Sequence, residues 1–222
     1  MERLHFEDEL QTLKHRLLTM GGLVEERVQR AVLALVERRP DLAEEVVAAD
    51  QEINDLQIEI DDRALKLLAL QAPMATDLRL ITSAMKINAD LERIGDQAVN
   101  IAQNAVNLLR HPPIRPLIDI PRMAEAAQAM TRDALDAFVR KDADMARAVL
   151  KRDDEVDALK DTVFRVLLTY MMADPATIER ALGLILVSRN LERIADHATN
   201  IAEDVIFLVE GRDVRHHHVE TA

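Results

Sequence analysis

The strongest constraint on the fold is an internal repeat. Segment 91–102 reads LERIGDQAVNIA and segment 191–202 reads LERIADHATNIA, which agree at nine of twelve positions at an offset of 100 residues. Upstream, DQEINDL from Asp50 matches DDEVDAL from Asp153 at an offset of 103. A three-residue deletion in the second half accounts for the change in offset. The chain is therefore an internal duplication, and both halves are expected to adopt the same fold.

The composition favours helices over strands. Hydrophobic residues make up 49% of the 222 residues, but only five are aromatic and five are glycine, too few for an all-β domain. The seven prolines interrupt long periodic segments and are interpreted as helix boundaries. The resulting prediction is six long helices, at about 7–37, 41–70, 75–110, 122–140, 142–172 and 176–210.

The prolines also divide the chain. Four of the seven lie between His111 and Pro121, which predicts an extended connector at 111–121. The predicted fold is all-α, with two tandem homologous three-helix bundles. The first occupies 1–110, and the second, with a short C-terminal tail, occupies 122–222.

The charge balance narrows the classes of function. Lys and Arg number 28 against 40 Asp and Glu, a formal charge of −12, which argues against nucleic-acid binding and anionic substrates. The absence of Cys excludes disulfides and agrees with a reducing cytoplasm. No segment approaches the roughly 20 apolar residues of a membrane span, and no signal peptide is predicted, so any membrane contact is expected to go through partners.

The third helix of each half carries an apolar seam. Its members recur at alternating spacings of three and four residues, as in left-handed coiled coils. They are Ile87, Leu91, Ile94, Ala98, Ile101, Ala105 and Leu108, and then Val187, Leu191, Ile194, Ala198, Ile201, Val205 and Leu208.

A row of oxygen-bearing side chains lies roughly opposite each seam. The rows are Glu92, Asp96 and Asn100 in the first half, and Glu192, Asp196 and Asn200 in the second. Carboxylates at i and i+4 repel each other unless a cation holds them. Asp50 and Asn54, and Asp153 and Asp157, repeat this spacing on the second and fifth predicted helices.

Two interpretations of these rows remain open. The carboxylates can converge across each bundle to bind hard cations such as Mg²⁺, Ca²⁺, Mn²⁺ or iron, among which oxygen ligands select weakly. Alternatively, Arg93 and Arg193 neutralise the rows as ion pairs, with no metal involved.

The repeated LERIxDxAxNIA segments, the APMATDLRLI segment before the first of them and the terminal EGRDVRH resemble the PhoU family of phosphate-signalling proteins. The resemblance covers nearly the whole chain. It implies a cytoplasmic, often dimeric regulator without enzymatic activity, placed between the nucleotide-binding subunit of the phosphate ABC transporter and a sensor histidine kinase. Such a regulator restrains the phosphate-starvation response when phosphate is plentiful.

The resemblance also implies metal ions on the Glu-x-x-x-Asp motifs, as iron clusters or as other ions such as Mg, Mn, Ca or Zn. It assigns metal-ligand roles to Glu92, Asp96, Glu192 and Asp196, with Asn100 and Asn200 completing the pattern. Asp50, Asp153 and Asp157 are the expected companions. Because Asn54 stands where the second half has Asp157, the first site is expected to carry fewer charges and to bind more weakly.

Two other classes of function are weighed against this one. A di-iron carboxylate enzyme requires Glu-x-x-His on inward helix faces, but Gly95 and Ala195 stand three residues after Glu92 and Glu192. A metal-free helical scaffold would use its acidic rows only for solubility.

Overall fold

The structure, a computed structural model, describes residues 2–71, 73–114 and 119–215. The predicted all-α fold is confirmed, since every regular element in these residues is helical. The helices are α1 (Glu2–Val36), α2 (Pro40–Ala48), α3 (Asp50–Gln71), α4 (Ala75–Leu109), α5 (Asp119–Arg140), α6 (Ala143–Leu150), α7 (Asp153–Ala173) and α8 (Ile178–Glu210).

The predictions of unbroken helices at 41–70 and 142–172 are wrong. The first is divided at Ala49 into α2 and α3, and the second at Lys151 and Arg152 into α6 and α7. Each new helix begins with acidic residues, which stabilise the positive end of the helix dipole. The apolar spacing continues across both breaks, so periodicity alone did not reveal them.

The short helices α2 and α6 begin in the same way in the two halves. In each half a residue with positive φ precedes the short helix, Arg38 at 57° and Lys141 at 54°, and these positions are 103 residues apart. The Arg38 guanidinium donates hydrogen bonds to the carbonyls of Leu109 and His111 at the end of α4, at 2.8 and 2.9 Å. It thereby satisfies acceptors that a helix C-terminus leaves unpaired.

Two predicted boundaries are also corrected. Helix α5 begins at Asp119, so Pro121 lies in its first turn, where a missing backbone N–H costs little. Before α8, Pro175–Thr177 forms a 3₁₀ turn. Residues 115–118 of the predicted connector and 216–222 of the predicted tail lie outside the described residues.

Helices α4 and α8 form the centre of the molecule. All fourteen predicted seam residues are buried. The two helices run antiparallel: Ser83 contacts Asp204, Asp90 contacts His197, and Leu108 lies against Gly183. Helix α1 also contacts α5, so the two halves share an extensive interface in addition to the chain connection.

The antiparallel contacts place the midpoints of α4 and α8 side by side. Because pairs early in α4 meet residues late in α8 and the reverse, Ile94 and Ile194 lie near the centre of the pairing. The two acidic motifs flank this centre. None of the helices in the described ranges combines the length and apolarity needed to cross a membrane.

The close approach of α8 to α4 at Gly183 provides a test of this packing. A Cβ at Gly183 would lie 2.8 Å from Leu108 Cδ2, whereas one at Gly22 would meet no atom within 4 Å. We expect Gly183→Val to lower the free energy of unfolding by about 1–3 kcal/mol in urea denaturation, because overpacked cores are strained. Gly22→Val is the matched control and should leave stability unchanged or slightly raised. Equal effects of the two substitutions would contradict the α4–α8 packing.

Candidate metal centre

The second half brings four carboxylates together between α7 and α8. Asp153 is the first residue of α7, and Asp157 lies one turn later. Burial, followed by the charges of Asp196 and Asp157, raises the pKa of Asp153 from its ordinary 3.8 to about 6. The pKa of Asp196 is also raised, mainly by burial and then by Glu192. Asp153 and Asp196 therefore lie close enough to repel each other and the two other carboxylates.

A lysine that was not among the predicted site residues lies within this second cluster. Lys160 Nζ donates hydrogen bonds to Asp157 Oδ1 at 2.7 Å and to Glu192 Oε1 at 2.9 Å, and so joins α7 to α8. These hydrogen bonds raise the pKa of the ammonium group. Its position three residues after Asp157 is the spacing of a helical ion pair, a signal from which it could have been found.

The first half builds the equivalent cluster between α3 and α4. Asn54 Nδ2 donates a hydrogen bond to Asp50 Oδ2 at 3.2 Å, and Asp50 begins α3 as Asp153 begins α7. Burial raises the pKa of Glu92, and the charges of Asp96 and Asp50 raise it further. Three carboxylates and one amide thus converge here.

The arginines that the ion-pair interpretation invoked behave differently in the two halves. Arg93 lies 3.4 Å from a Glu92 oxygen and 3.2 Å from an Asp96 oxygen, with 62% of its side chain exposed. Arg193 is exposed and makes no ion pair within the ranges that the structure describes. The counter-charge at the second cluster is supplied by Lys160 instead.

The two asparagines of the predicted pattern are not brought into the clusters by contacts of the structure. Asn100 is exposed, and its carbonyl accepts a hydrogen bond from Asn104. Asn200 donates to Asp90 Oδ1 at 3.1 Å, and the same oxygen lies 2.8 Å from His197 Nδ1. Asn200 therefore joins α8 to α4 in this structure.

His197 lies between the two clusters. Its charge, when protonated, acts to lower the pKa of both Glu92 and Asp196, which belong to different halves. His197 follows Asp196 by one residue, and helical periodicity alone assigns it no function. Its contact with Asp90 depends on how the two halves pack together, and this packing cannot be deduced from a local sequence pattern.

The donor sets fit a hard cation in chemistry and charge. Both clusters offer oxygen ligands only, partly desolvated and mutually repelling, which are conditions that a divalent or trivalent ion relieves. Within the described ranges, no three Asp, Glu or His side chains are already arranged around a metal position. Lys160 and Arg93 instead hold carboxylates that would otherwise be unpaired, so ion binding requires side-chain rearrangement.

Comparison with known proteins assigns the chain to a family. A family model described as the PhoU domain matches twice, over residues 17–105 and 120–205. The chain belongs to the PhoU family. The chain is 46% identical over 212 residues to a Pseudomonas putida protein named "Phosphate-specific transport system accessory protein PhoU homolog", covering 95% of this chain and 83% of that protein. The Escherichia coli PhoU protein is 36% identical over 95% of this chain and 88% of its own length.

Solved structures of PhoU proteins share the fold. The crystal structure of PhoU from Pseudomonas aeruginosa superposes with a TM-score of 0.90 at 45% identity, over 93% of this chain and all of that one. The PhoU structure from Streptococcus pneumoniae gives a TM-score of 0.88 at 31% identity, over 94% and 99% of the two chains. The duplicated helical plan of the chain is therefore that of the PhoU family.

The raised pKa of Asp153 predicts a pH dependence of stability in the presence of EDTA. Between pH 4 and 6 the folded protein retains a proton on Asp153 that the unfolded chain releases. The associated stabilisation is present at the acid end and is lost as the pH rises through 6. Asp153→Asn, which stays neutral, should therefore gain stability relative to wild type as the pH rises from 4 to 7, in urea denaturation.

Glu155→Gln is the control for this measurement, because Glu155 is exposed in the same first turn of α7. Its stability difference from wild type should change little over the same range. A flat or falling difference for Asp153→Asn would show that Asp153 is not destabilised by its neighbours.

Proposed function

We propose that this protein is a cytoplasmic, non-enzymatic regulator of phosphate uptake. It acts as an adaptor between the nucleotide-binding subunit of a phosphate ABC transporter and a sensor histidine kinase, and it restrains the phosphate-starvation response when phosphate is plentiful. The observation that carries this proposal is the match of both PhoU domains in a chain aligned with named accessory proteins over 95% of its length.

Metal binding at the two carboxylate clusters is part of the proposal. Asp50, Glu92 and Asp96 would hold an ion in the first cluster. Asp153, Asp157, Glu192 and Asp196 would do so in the second. A bound iron, Mg, Mn, Ca or Zn ion would supply positive charge that relieves the repulsion between the carboxylates. The raised pKa values of Glu92, Asp153 and Asp196 support this, because burial and then the neighbouring carboxylates disfavour the charged form that a cation would stabilise.

The regulatory role is favoured over a di-iron enzyme by the absence of the Glu-x-x-His motif from both clusters. A ferritin-type centre takes its histidines from this motif. Gly95 and Ala195 stand three residues after Glu92 and Glu192 instead. The donors of the clusters are oxygens, which suit a structural or regulatory ion.

The proposed partners and the homodimer follow from the family resemblance and from the charge of the chain. A formal charge of −12 favours basic surfaces on the transporter subunit and the kinase, and it speeds their encounter at low salt. The antiparallel α4–α8 pairing gives the protein an approximate internal two-fold symmetry. It therefore presents two similar surfaces, suited to two partners or to two copies of one.

The ligand assignment is tested by metal analysis of the tag-free protein. We expect Glu92→Gln, Asp96→Asn, Glu192→Gln and Asp196→Asn, combined in one variant, to lose most of the bound metal in elemental analysis. The control combines Glu44→Gln, Asp55→Asn, Glu155→Gln and Glu179→Gln, which removes the same four charges from exposed positions. His216, His217 and His218 are replaced by Ala in every sample to prevent capture by the tail. Equal metal contents would remove the four ligands from the site.

The regulatory role is tested by deletion of the gene. We expect the deletion strain to express alkaline phosphatase in phosphate-rich medium, because restraint of the starvation response is lost. Complementation with wild type should restore repression. Unchanged alkaline phosphatase expression and phosphate uptake after deletion would refute the proposed function, whatever the metal content of the protein.

A further inference from the structure

The two carboxylate clusters differ at two equivalent positions, Asn54 against Asp157 and Gln57 against Lys160. The offset of 103 residues that relates Asp50 to Asp153 also relates Gln57 to Lys160. The second cluster therefore contains a cation supplied by the chain itself, whereas the first has a neutral amide at the corresponding place. Apart from Asn54 and Asp157, the acidic members are the same in both halves: Asp50, Glu92 and Asp96 against Asp153, Glu192 and Asp196.

Lys160 is held within its cluster. Its ammonium group makes hydrogen bonds of 2.7 and 2.9 Å to carboxylates on two helices, and 31% of its side chain is exposed. Arg93, the cation beside the first cluster, is 62% exposed and lies 3.2 and 3.4 Å from its partners. Water screens Arg93 more than Lys160. The ammonium group is therefore the stronger competitor for the position of a bound ion.

We propose that Lys160 is a built-in competitor for metal, which makes the two clusters unequal: the first binds an ion readily, and the second only when Lys160 is displaced. This inference rests on the metal-binding part of the proposed function. Charge counting that omits Lys160 ranks the first cluster as the weaker, because Asn54 replaces Asp157. The ammonium group reverses that order, since an ion at the second cluster must replace two existing charge-assisted hydrogen bonds.

The structure provides a place for the displaced side chain. A cleft of about 290 Å³ lies between α7 and α8 beside the second cluster. Lys160 and Glu192 are on its wall together with two exposed charged residues, Asp161 and Arg189. The cleft therefore offers the Lys160 side chain space in which to move away from Glu192.

The experiment measures Mn²⁺ binding to each cluster separately by equilibrium dialysis. Glu92→Gln with Asp96→Asn leaves only the second cluster, and Glu192→Gln with Asp196→Asn leaves only the first. Lys160→Gln is added to the former and Gln57→Lys to the latter, so that each half acquires the residue of the other. Lys160→Arg in the second-cluster background is the charge-retaining control. All variants carry Ala at positions 216–218.

We expect the first cluster to bind Mn²⁺ more tightly than the second. Lys160→Gln should tighten the second cluster by about tenfold or more, and Gln57→Lys should weaken the first by a similar factor. Lys160→Arg should leave the affinity near that of its background. In EDTA, Lys160→Gln in the otherwise wild-type protein should lower the melting temperature by a few degrees, and Mn²⁺ should restore it, because four carboxylates lose their counter-charge.

Two results would overturn the inference, and they differ in what else they affect. If Mn²⁺ binds both backgrounds but Lys160→Gln changes neither its affinity nor the melting temperature, Lys160 is not a competitor and the proposed metal binding stands. If folded protein binds Mn²⁺ in no background, with or without Lys160, the metal-binding part of the proposed function fails together with the inference.

Discussion

The packing of α4 against α8 is the constraint on which the rest of the structure depends. The two seams are buried along their whole length, from Ile87 to Leu108 and from Val187 to Leu208. Because each half supplies one of these helices, neither half completes its core without the other. Gly183 allows the close approach, since any side chain there would meet Leu108. The two repeats therefore pack around a shared centre made of α4 and α8.

The same packing sets the electrostatics of the clusters. Each acidic motif is held on a helix whose opposite face is fixed in the core, so its carboxylates cannot separate by moving the backbone. The breaks before Asp50 and Asp153 then place a second helix N-terminus beside each motif. Burial and repulsion raise the pKa values of Glu92, Asp153 and Asp196, which makes the clusters destabilising in the absence of counter-charge. A bound cation would relieve this repulsion between the carboxylates, which is the physical basis for the proposed metal site.

Periodicity and duplication predicted most of the fold, while the metal-ligand roles of the carboxylates stay a prediction. All seam residues are buried as expected, because an apolar repeat of three and four residues specifies one face of a helix regardless of its neighbours. The breaks at Ala49 and Arg152 were missed, because the apolar spacing runs through them. The contact between Asp90 and His197 could not be predicted, because it depends on how two helices 100 residues apart are docked. The ion pair of Lys160 with Asp157 can be predicted from their spacing of three residues. Its hydrogen bond to Glu192 cannot, because it depends on the packing of α7 against α8.

The two carboxylate clusters differ in the charge of their side chains. Across the 103-residue offset, Asn54 corresponds to Asp157 and Gln57 corresponds to Lys160. The second half therefore has one more carboxylate and one more ammonium group than the first. The three carboxylates of the first cluster have the exposed Arg93 beside them, and the four carboxylates of the second have Lys160 between α7 and α8. This unequal composition is the basis of the proposed difference in ion binding. An ion at the first cluster would meet Arg93, which is 62% exposed, whereas an ion at the second would have to compete with Lys160, which is 31% exposed and bonded to both helices.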